Sequence, residues 1–216
     1  LCKDARMVSS TSVIDTEVSG PMPPVLQPEI LSQVQALNED YLELLAMQSP
    51  SAVSQLQHFG PKLQASLVQL PAEHRARLAA APYALYSLRF EDPRFWRTLC
   101  SCDPVGFETK YARSDSPLEA VFCEIALIQA WHIASTNPLA ARVVYAMNDT
   151  VRMMLVRTPL WRVHRIALEH PNMLTPRWPT NPCFWPDLIA FVQVGDTARL
   201  ATTKLLGLQL IAAELR

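Results

Sequence analysis

The sequence predicts an all-α fold, and three observations carry that reading. Eighteen prolines stand against only five glycines. Several of those prolines follow a polar residue able to cap a helix, as in Asp92-Pro93, Asn137-Pro138 and Asn181-Pro182. No segment alternates apolar and polar side chains with the period of two that marks a half-buried strand. Proline suits the first helical position because the N–H it lacks would have had no intrahelical partner there. The expected architecture is an irregular bundle of about eight to ten helices, many of them begun by proline.

Each element follows from its local pattern. Residues 1–27 are rich in Ser, Thr and Pro without a sustained apolar period, and read as a flexible tail. From Pro28 to Met47, Ile30, Val34, Leu37, Tyr41 and Leu45 share one face of a helical wheel, while Glu29, Glu39, Asp40 and Glu43 share the other. Shorter helices are expected near 51–59, 62–69, 72–80, 83–90 and 93–101, before a polar loop, "CDPVGFETKYARSDS". Ser116, Pro117 and Glu119 spell a capping box. The helix it opens, Pro117 to Ser135, is apolar around most of its girth and belongs in the centre. Pro138 to about Val156 reads as one helix that buries Val143, Met147, Val151 and Met154 and turns Arg142, Asp149 and Arg152 outward. Helices near 160–169 and 186–193 flank a rigid, proline-studded connection, and Asp196 caps a last helix running to the C-terminus. One helical domain is expected over 28–216, within which 28–81 can stand as a semi-independent N-terminal part.

Composition limits the function classes. With 216 residues, half of them apolar, the chain can bury a real core. A net charge of -1 argues against a nucleic-acid binder that works by neutralising phosphates. Charge is uneven, however. Residues 1–60 carry Asp4, Asp15, Glu17, Glu29, Glu39, Asp40 and Glu43 against Lys3 and Arg6, whereas 138–177 carry Arg142, Arg152, Arg157, Arg162, Arg165 and Arg177 against Asp149 and Glu169. The two ends can face partners of opposite sign, or each other. Five scattered cysteines point to free thiols in a reducing compartment. Cys100-x-Cys102 with Cys123 or Cys183 lacks the spacing and the histidine pair of a metal site, so no metal or other cofactor is expected. Nothing reads as a signal peptide or a spanning helix, since "LLGLQLIAAEL" is about half the length a bilayer requires. The expectation is a cytoplasmic protein with no membrane insertion.

Motifs for catalysis are missing from the reading. The chain has no G-x-S-x-G, H-E-x-x-H, phosphate-cradling or dinucleotide signature, and its five histidines are dispersed. A non-enzyme is expected. The densest stretch is "YSLRFEDPRFW", Tyr86 to Trp96, whose pattern D/N-P-x-F-W-x-x-L recurs in "NPCFWPDL" at 181–188. A polar cap and a proline would start a helix there, with Phe and Trp packed on both sides of its entry. Two readings stand: a helix joint anchored in the core, or a partner hot spot built on aromatic rings and arginine. The later arginines are open in the same way, as a basic patch or as an exposed face with local ion pairs.

"YALYSLRFEDPRFW", followed by an apolar helix and "ASTNPLAARVVYAMNDTVRMMLVRTP", resembles the cytosolic accessory proteins of bacterial type III secretion called the YscK/OrgA-like family, with its plant-pathogen Hrp branch. The match rests on Leu88-Arg89-Phe90 after an aromatic segment and on "NPLAARVVYAMNDTVRMML", within Pro82 to Pro159. The acidic helix ahead of the triplet departs from the pattern. The resemblance implies a non-catalytic adaptor of the cytoplasmic sorting platform, peripheral to an inner-membrane complex. Its partners would be the cytosolic domain of the inner-membrane ring and the pod protein, similar to a C-ring protein, that carries the export ATPase assembly. Leu88, Arg89, Phe90, Phe95 and Trp96 would form or support one partner surface, and Arg142 and Arg152 a second, electrostatically tuned one. The alternative is a small helical ligand-binding regulator or enzyme with a pocket lined by Arg142, Arg152, Arg157 and Trp161. A nucleic-acid binder is the third and weakest reading.

Overall fold

A computed structural model of the chain describes residues 26–48, 55–101 and 117–216. Ten α-helices dominate these residues, and five of them begin at a proline. The fold is an all-α bundle, in agreement with the sequence. Helix α1 spans Pro28–Met47, α2 Pro61–Val68, α3 Ala72–Ala79, α4 Pro93–Ser101 and α5 Pro117–Thr136. Then follow α6 Pro138–Tyr145, α7 Asp149–Arg157, α8 Leu160–Glu169, α9 Phe184–Val194 and α10 Thr197–Glu214. Helix α5 is central and packs against α1, α6, α7 and α8, while α9 packs against α2, α3 and α10. One continuous hydrophobic core joins α1–α3 to the rest.

The caps form as their chemistry requires. Asp92 Oδ1 accepts from the N–H groups of Arg94 and Phe95, Asn137 Oδ1 from Ala140, and Asp196 Oδ1 from Arg199. Asn181 accepts from Cys183 and Phe184, although α9 begins only at Phe184. Of the expected capping box, Ser116 lies outside the described residues. Glu119 accepts from the Gln48 side chain and the Gln55 N–H. The tail expected over 1–27, apart from its last two residues, and the polar loop of 102–116 also lie outside the described residues.

Three expectations are corrected. Residues 83–90 are not helical but extended and then turned, and Tyr86–Ser87 (β1) pairs antiparallel with Thr175–Pro176 (β2). In "YSLRF" the buried Tyr86, Leu88 and Phe90 alternate with the less covered Ser87 and Arg89, the period of extended backbone. Extended backbone sends successive side chains in opposite directions, so Tyr83 reaches α10 while the Tyr86 ring meets Tyr41 and Phe122. The helix expected over 138–156 is divided, because Ala146 turns left-handed at φ 51° and Asn148 starts α7 by accepting from Val151 N–H. Finally, α5 is long and apolar enough over Leu118–Thr136 to cross a membrane, which the sequence reading overlooked; 44% of that window is buried inside the fold.

A buried non-helical segment must find partners for its peptide groups elsewhere. Asn38, fully buried on α1, donates to the carbonyls of Ala79 and Tyr83 and accepts from Leu85 N–H at 2.9 Å. Arg177, 4% exposed, donates to the carbonyls of Ala84 and Val144 and pairs with Glu214 at 3.1 Å. Tyr83 donates to Lys204 O and lies so close to Gly207 that a Cβ there would overlap its hydroxyl. Replacing Asn38 by the similar-sized Leu leaves the Tyr83 carbonyl and the Leu85 N–H unpaired, and Ala79 O with its bond from Ala81 N–H alone, with an expected loss of about 3 kcal/mol. Urea denaturation reads this, and a loss below about 1 kcal/mol would show that the segment finds other partners.

Candidate docking surfaces

The Tyr86–Trp96 stretch folds as a tight joint. Arg89 sits in the left-handed region at φ 58°, its N–H donating to Ser87 Oγ and its carbonyl accepting from the Trp96 indole at 3.0 Å. Its guanidinium pairs with Asp92 at 2.8 Å and lies 4.2 Å from the centre of the Phe95 ring. Two backbone N–H groups and Arg89 hold the Asp92 carboxyl below its ordinary value. Leu88, Phe90 and Trp96 are core residues at 1%, 1% and 0% exposure, with the Phe90 and Trp96 rings stacked 5.2 Å apart. These three therefore present no surface to a partner, for the reason that they fill the joint. Arg89 and Phe95 reach solvent.

Arg142 and Arg152 converge on one carboxylate. Each lies 3.6 Å from Asp149, and Arg152 also reaches Ala134 O from a largely covered position. Arg142 remains the more open of the two. Helices α4, α7 and α8 adjoin one another, since Arg162 donates to Leu99 O, Thr158 to Cys100 Sγ, and Phe95 meets the His170 ring. Arg89, Arg94, Arg97 and Arg157 thus belong to neighbouring elements, and Leu160 and Trp161 at the start of α8 are exposed. Arg165 is paired with Glu169. The four residues of the expected ligand pocket do not line either cavity described below.

A groove runs between α1 and α5, with a volume of about 320 Å³. Leu44 and Phe122 form its floor. Met47, Leu118, Val121 and Ile125 form its walls and stay 64%, 58%, 53% and 49% exposed. Asp40 and Glu43 stand on its rim. Beside it, burial raises the Glu119 carboxyl above its ordinary value, opposed by the donors at Gln55 and Gln48. Burial, with Glu119 and Glu124 nearby, pushes the Cys123 thiol up to about 12. A second groove of about 560 Å³ lies between α2 and α9, where Leu63 and Ile189 are flanked by Lys62 and Asp187. Sequence reasoning placed the whole helix from Pro117 to Ser135 in the centre, with no account of its exposed Val121 and Ile125, and missed the first groove. It also missed Asn38, and it counted Arg177 with the surface arginines. Among the described residues, no group of three or more His, Cys, Asp or Glu side chains is arranged to hold a metal ion.

Two variants separate backbone from side-chain effects here. Arg89→Ala and Arg89→Gly delete the same ion pair, but only Ala keeps the left-handed strain, so Ala should be less stable by about 1 kcal/mol. Equal stabilities in thermal unfolding would remove the strain argument. Glu119→Gln retains an acceptor for both donors and removes the titration. A carboxyl whose pKa is raised in the folded state contributes stability that is complete below its unfolded pKa and lost as pH rises through the folded one. The variant should therefore gain on the parent as pH rises above the ordinary carboxyl value of 4.5, and a difference independent of pH would contradict the assignment.

In comparisons with known proteins, the chain matches no family model, no curated protein and no solved structure.

Proposed function

We propose that the protein is a non-catalytic adaptor of a type III secretion sorting platform, joining the cytosolic domain of the inner-membrane ring to the pod protein. The observation that carries this reading is the separation of two unlike surfaces. One is basic and aromatic on α4, α7 and α8, with Trp161 exposed. The other is acidic and apolar on α1 and α5. An adaptor has to hold two partners at once, and surfaces of opposite character on different elements let it do so without competition.

The identity of the machine comes from the sequence resemblance. The fold supports it in one respect, because its two matched stretches pack together: Ala84 N–H donates to Val144 O, and the Phe90 ring meets Tyr145 at 5.7 Å. On this reading Arg89 and Phe95 contact one partner over a joint built by Leu88, Phe90 and Trp96, and Arg142 and Arg152, which lie on α6 and α7 outside the acidic α1–α5 surface, add an electrostatic contact to the second partner. The protein would work in the cytoplasm, at the base of the membrane complex.

The test is affinity capture from native cells under secretion-inducing conditions, followed by binding to the purified ring domain and pod protein. The parent should recover both. Arg89→Gly should lose one of them, and Arg142→Glu should weaken the other about tenfold, with an affinity that falls as salt rises. Capture of neither protein by a folded bait would overturn the platform reading. Unchanged capture by both variants would move the contacts off these arginines.

A further inference from the structure

We infer that the α1–α5 groove is the seat of an amphipathic helix from a partner protein, one with apolar side chains on one face and lysine or arginine on its flanks. The proposal rests on the adaptor reading and names the partner chemistry for its acidic surface.

Geometry supplies the first argument. Leu118, Val121 and Ile125 occupy positions i, i+3 and i+7 of α5, so they form a single row along its exposed side. Met47 stands across from that row at the end of α1. Two neighbouring helices with an apolar row between them offer the channel into which a third helix lays its own row. Side chains half exposed or more on such a row gain most from being covered, at roughly 25 cal/mol per Å² of apolar surface removed from water.

Charge supplies the second argument and selects the occupant. Helix α1 carries Glu29, Glu39, Asp40 and Glu43 and no lysine or arginine. Asp40 and Glu43 border the groove itself. On the same helix as the apolar row, Glu124 is held by His164 of α8 at 2.9 Å. A helix flanked by cations meets complementary charge here, whereas an acidic helix or an anionic lipid surface is repelled. The α2–α9 groove is larger, but Lys62 and Asp187 give its rim both signs, so it selects no partner charge.

The test uses the full chain with labelled methyl groups, because Met47, Leu118, Val121 and Ile125 all report by methyl NMR. The probes are a model helical peptide with leucines on one face and lysines on the other, and its leucine–glutamate counterpart. The lysine peptide should shift the four groove methyls and leave the buried Ile211 methyl in place. Its affinity should fall about tenfold in Val121→Asp, and the glutamate peptide should bind about tenfold more weakly than the lysine peptide. In the doubly substituted Asp40→Lys, Glu43→Lys protein the order of the peptides should reverse. All three substitutions are at exposed positions, so the fold is expected to persist, and the unchanged core methyls verify it.

Binding that ignores Val121→Asp, equal affinity for the two peptides, or shifts confined to other methyls would overturn the proposal. So would a parent that sediments as a dimer and becomes monomeric on Val121→Asp, which gives the groove to a second copy. Competition by anionic vesicles, with none by the lysine peptide, would give it to a membrane. A groove that binds the lysine peptide in a protein that captures no secretion component would sink the platform reading alone. Capture of both platform proteins with an inert groove would sink this proposal alone.

Discussion

The fold depends on satisfying a buried segment that is not a helix. Residues 81–88 run through the centre of a helical bundle, where water cannot serve their peptide groups. An unmet amide or carbonyl in such a place costs about 1–3 kcal/mol. Asn38 meets two of these groups from α1, the Tyr83 carbonyl and the Leu85 N–H, and Arg177 meets the Ala84 carbonyl from the connection between α8 and α9. Neither could be replaced by an apolar residue of equal volume without orphaning several partners together. The same two side chains therefore fix where α1, α6 and α10 stand, because Arg177 also binds Val144 O and Glu214. Packing then follows from polar satisfaction.

Chain reversals pose the second constraint in a protein with so few glycines. Arg89, Ala146 and Trp178 take positive φ, a conformation that costs L-residues roughly 1–2 kcal/mol each. Strain of this size persists where neighbouring contacts overdetermine it. At Arg89 the Trp96 indole grips the backbone carbonyl. At Trp178 the indole binds Glu214, and its ring lies 4.6 Å from Phe184 and 4.8 Å from the Arg177 guanidinium. The Phe-Trp pairs that recur in the sequence are thus anchors for strained corners. Both tryptophans, Trp96 and Trp185, donate to a carbonyl at such a corner, Arg89 O and Arg177 O respectively. The likeness of "DPRFW" and "NPCFW" has a mechanical origin, with no need of duplication.

How much of this the sequence discloses depends on whether the signal is local. Helix α1 is legible to the residue, because a proline start and a one-sided apolar period state both its boundary and its face. The caps at Asp92, Asn137 and Asp196 are legible for the same reason. Residues 83–90 are less so, since the period-two alternation of "YSLRF" spans only five residues after an apolar "YAL", and the deciding partner, Asn38, is some 45 positions away. The break at Ala146 has only Asn148 as a local sign, hidden inside an apolar pattern. The groove is the least legible feature. Val121 and Ile125 differ in nothing from Phe122 and Leu127 as letters, and only the line along which α1 meets α5 decides which pair is covered.

Segregated charge gives these surfaces a role that net charge conceals. The overall value of -1 sums an α1 helix with four carboxylates and no cation against an α7–α8 pair with four arginines, Asp149 and Glu169. Most ion pairs among the described residues are local, three or four positions apart, as in Arg89–Asp92 and Arg165–Glu169. Those that bridge different elements, Arg142–Asp149, His164–Glu124 and Arg177–Glu214, leave the α1 carboxylates uninvolved. The acidic edge therefore keeps its field, which reaches about 8 Å into physiological salt. Such a field accelerates the encounter with a cationic partner and discriminates against anionic ones, but it adds little lasting affinity at an exposed rim. Affinity has to come from the apolar row beside it. A carboxylate rim and an apolar channel on the same pair of helices divide the work of recognition, the rim choosing the partner and the channel retaining it.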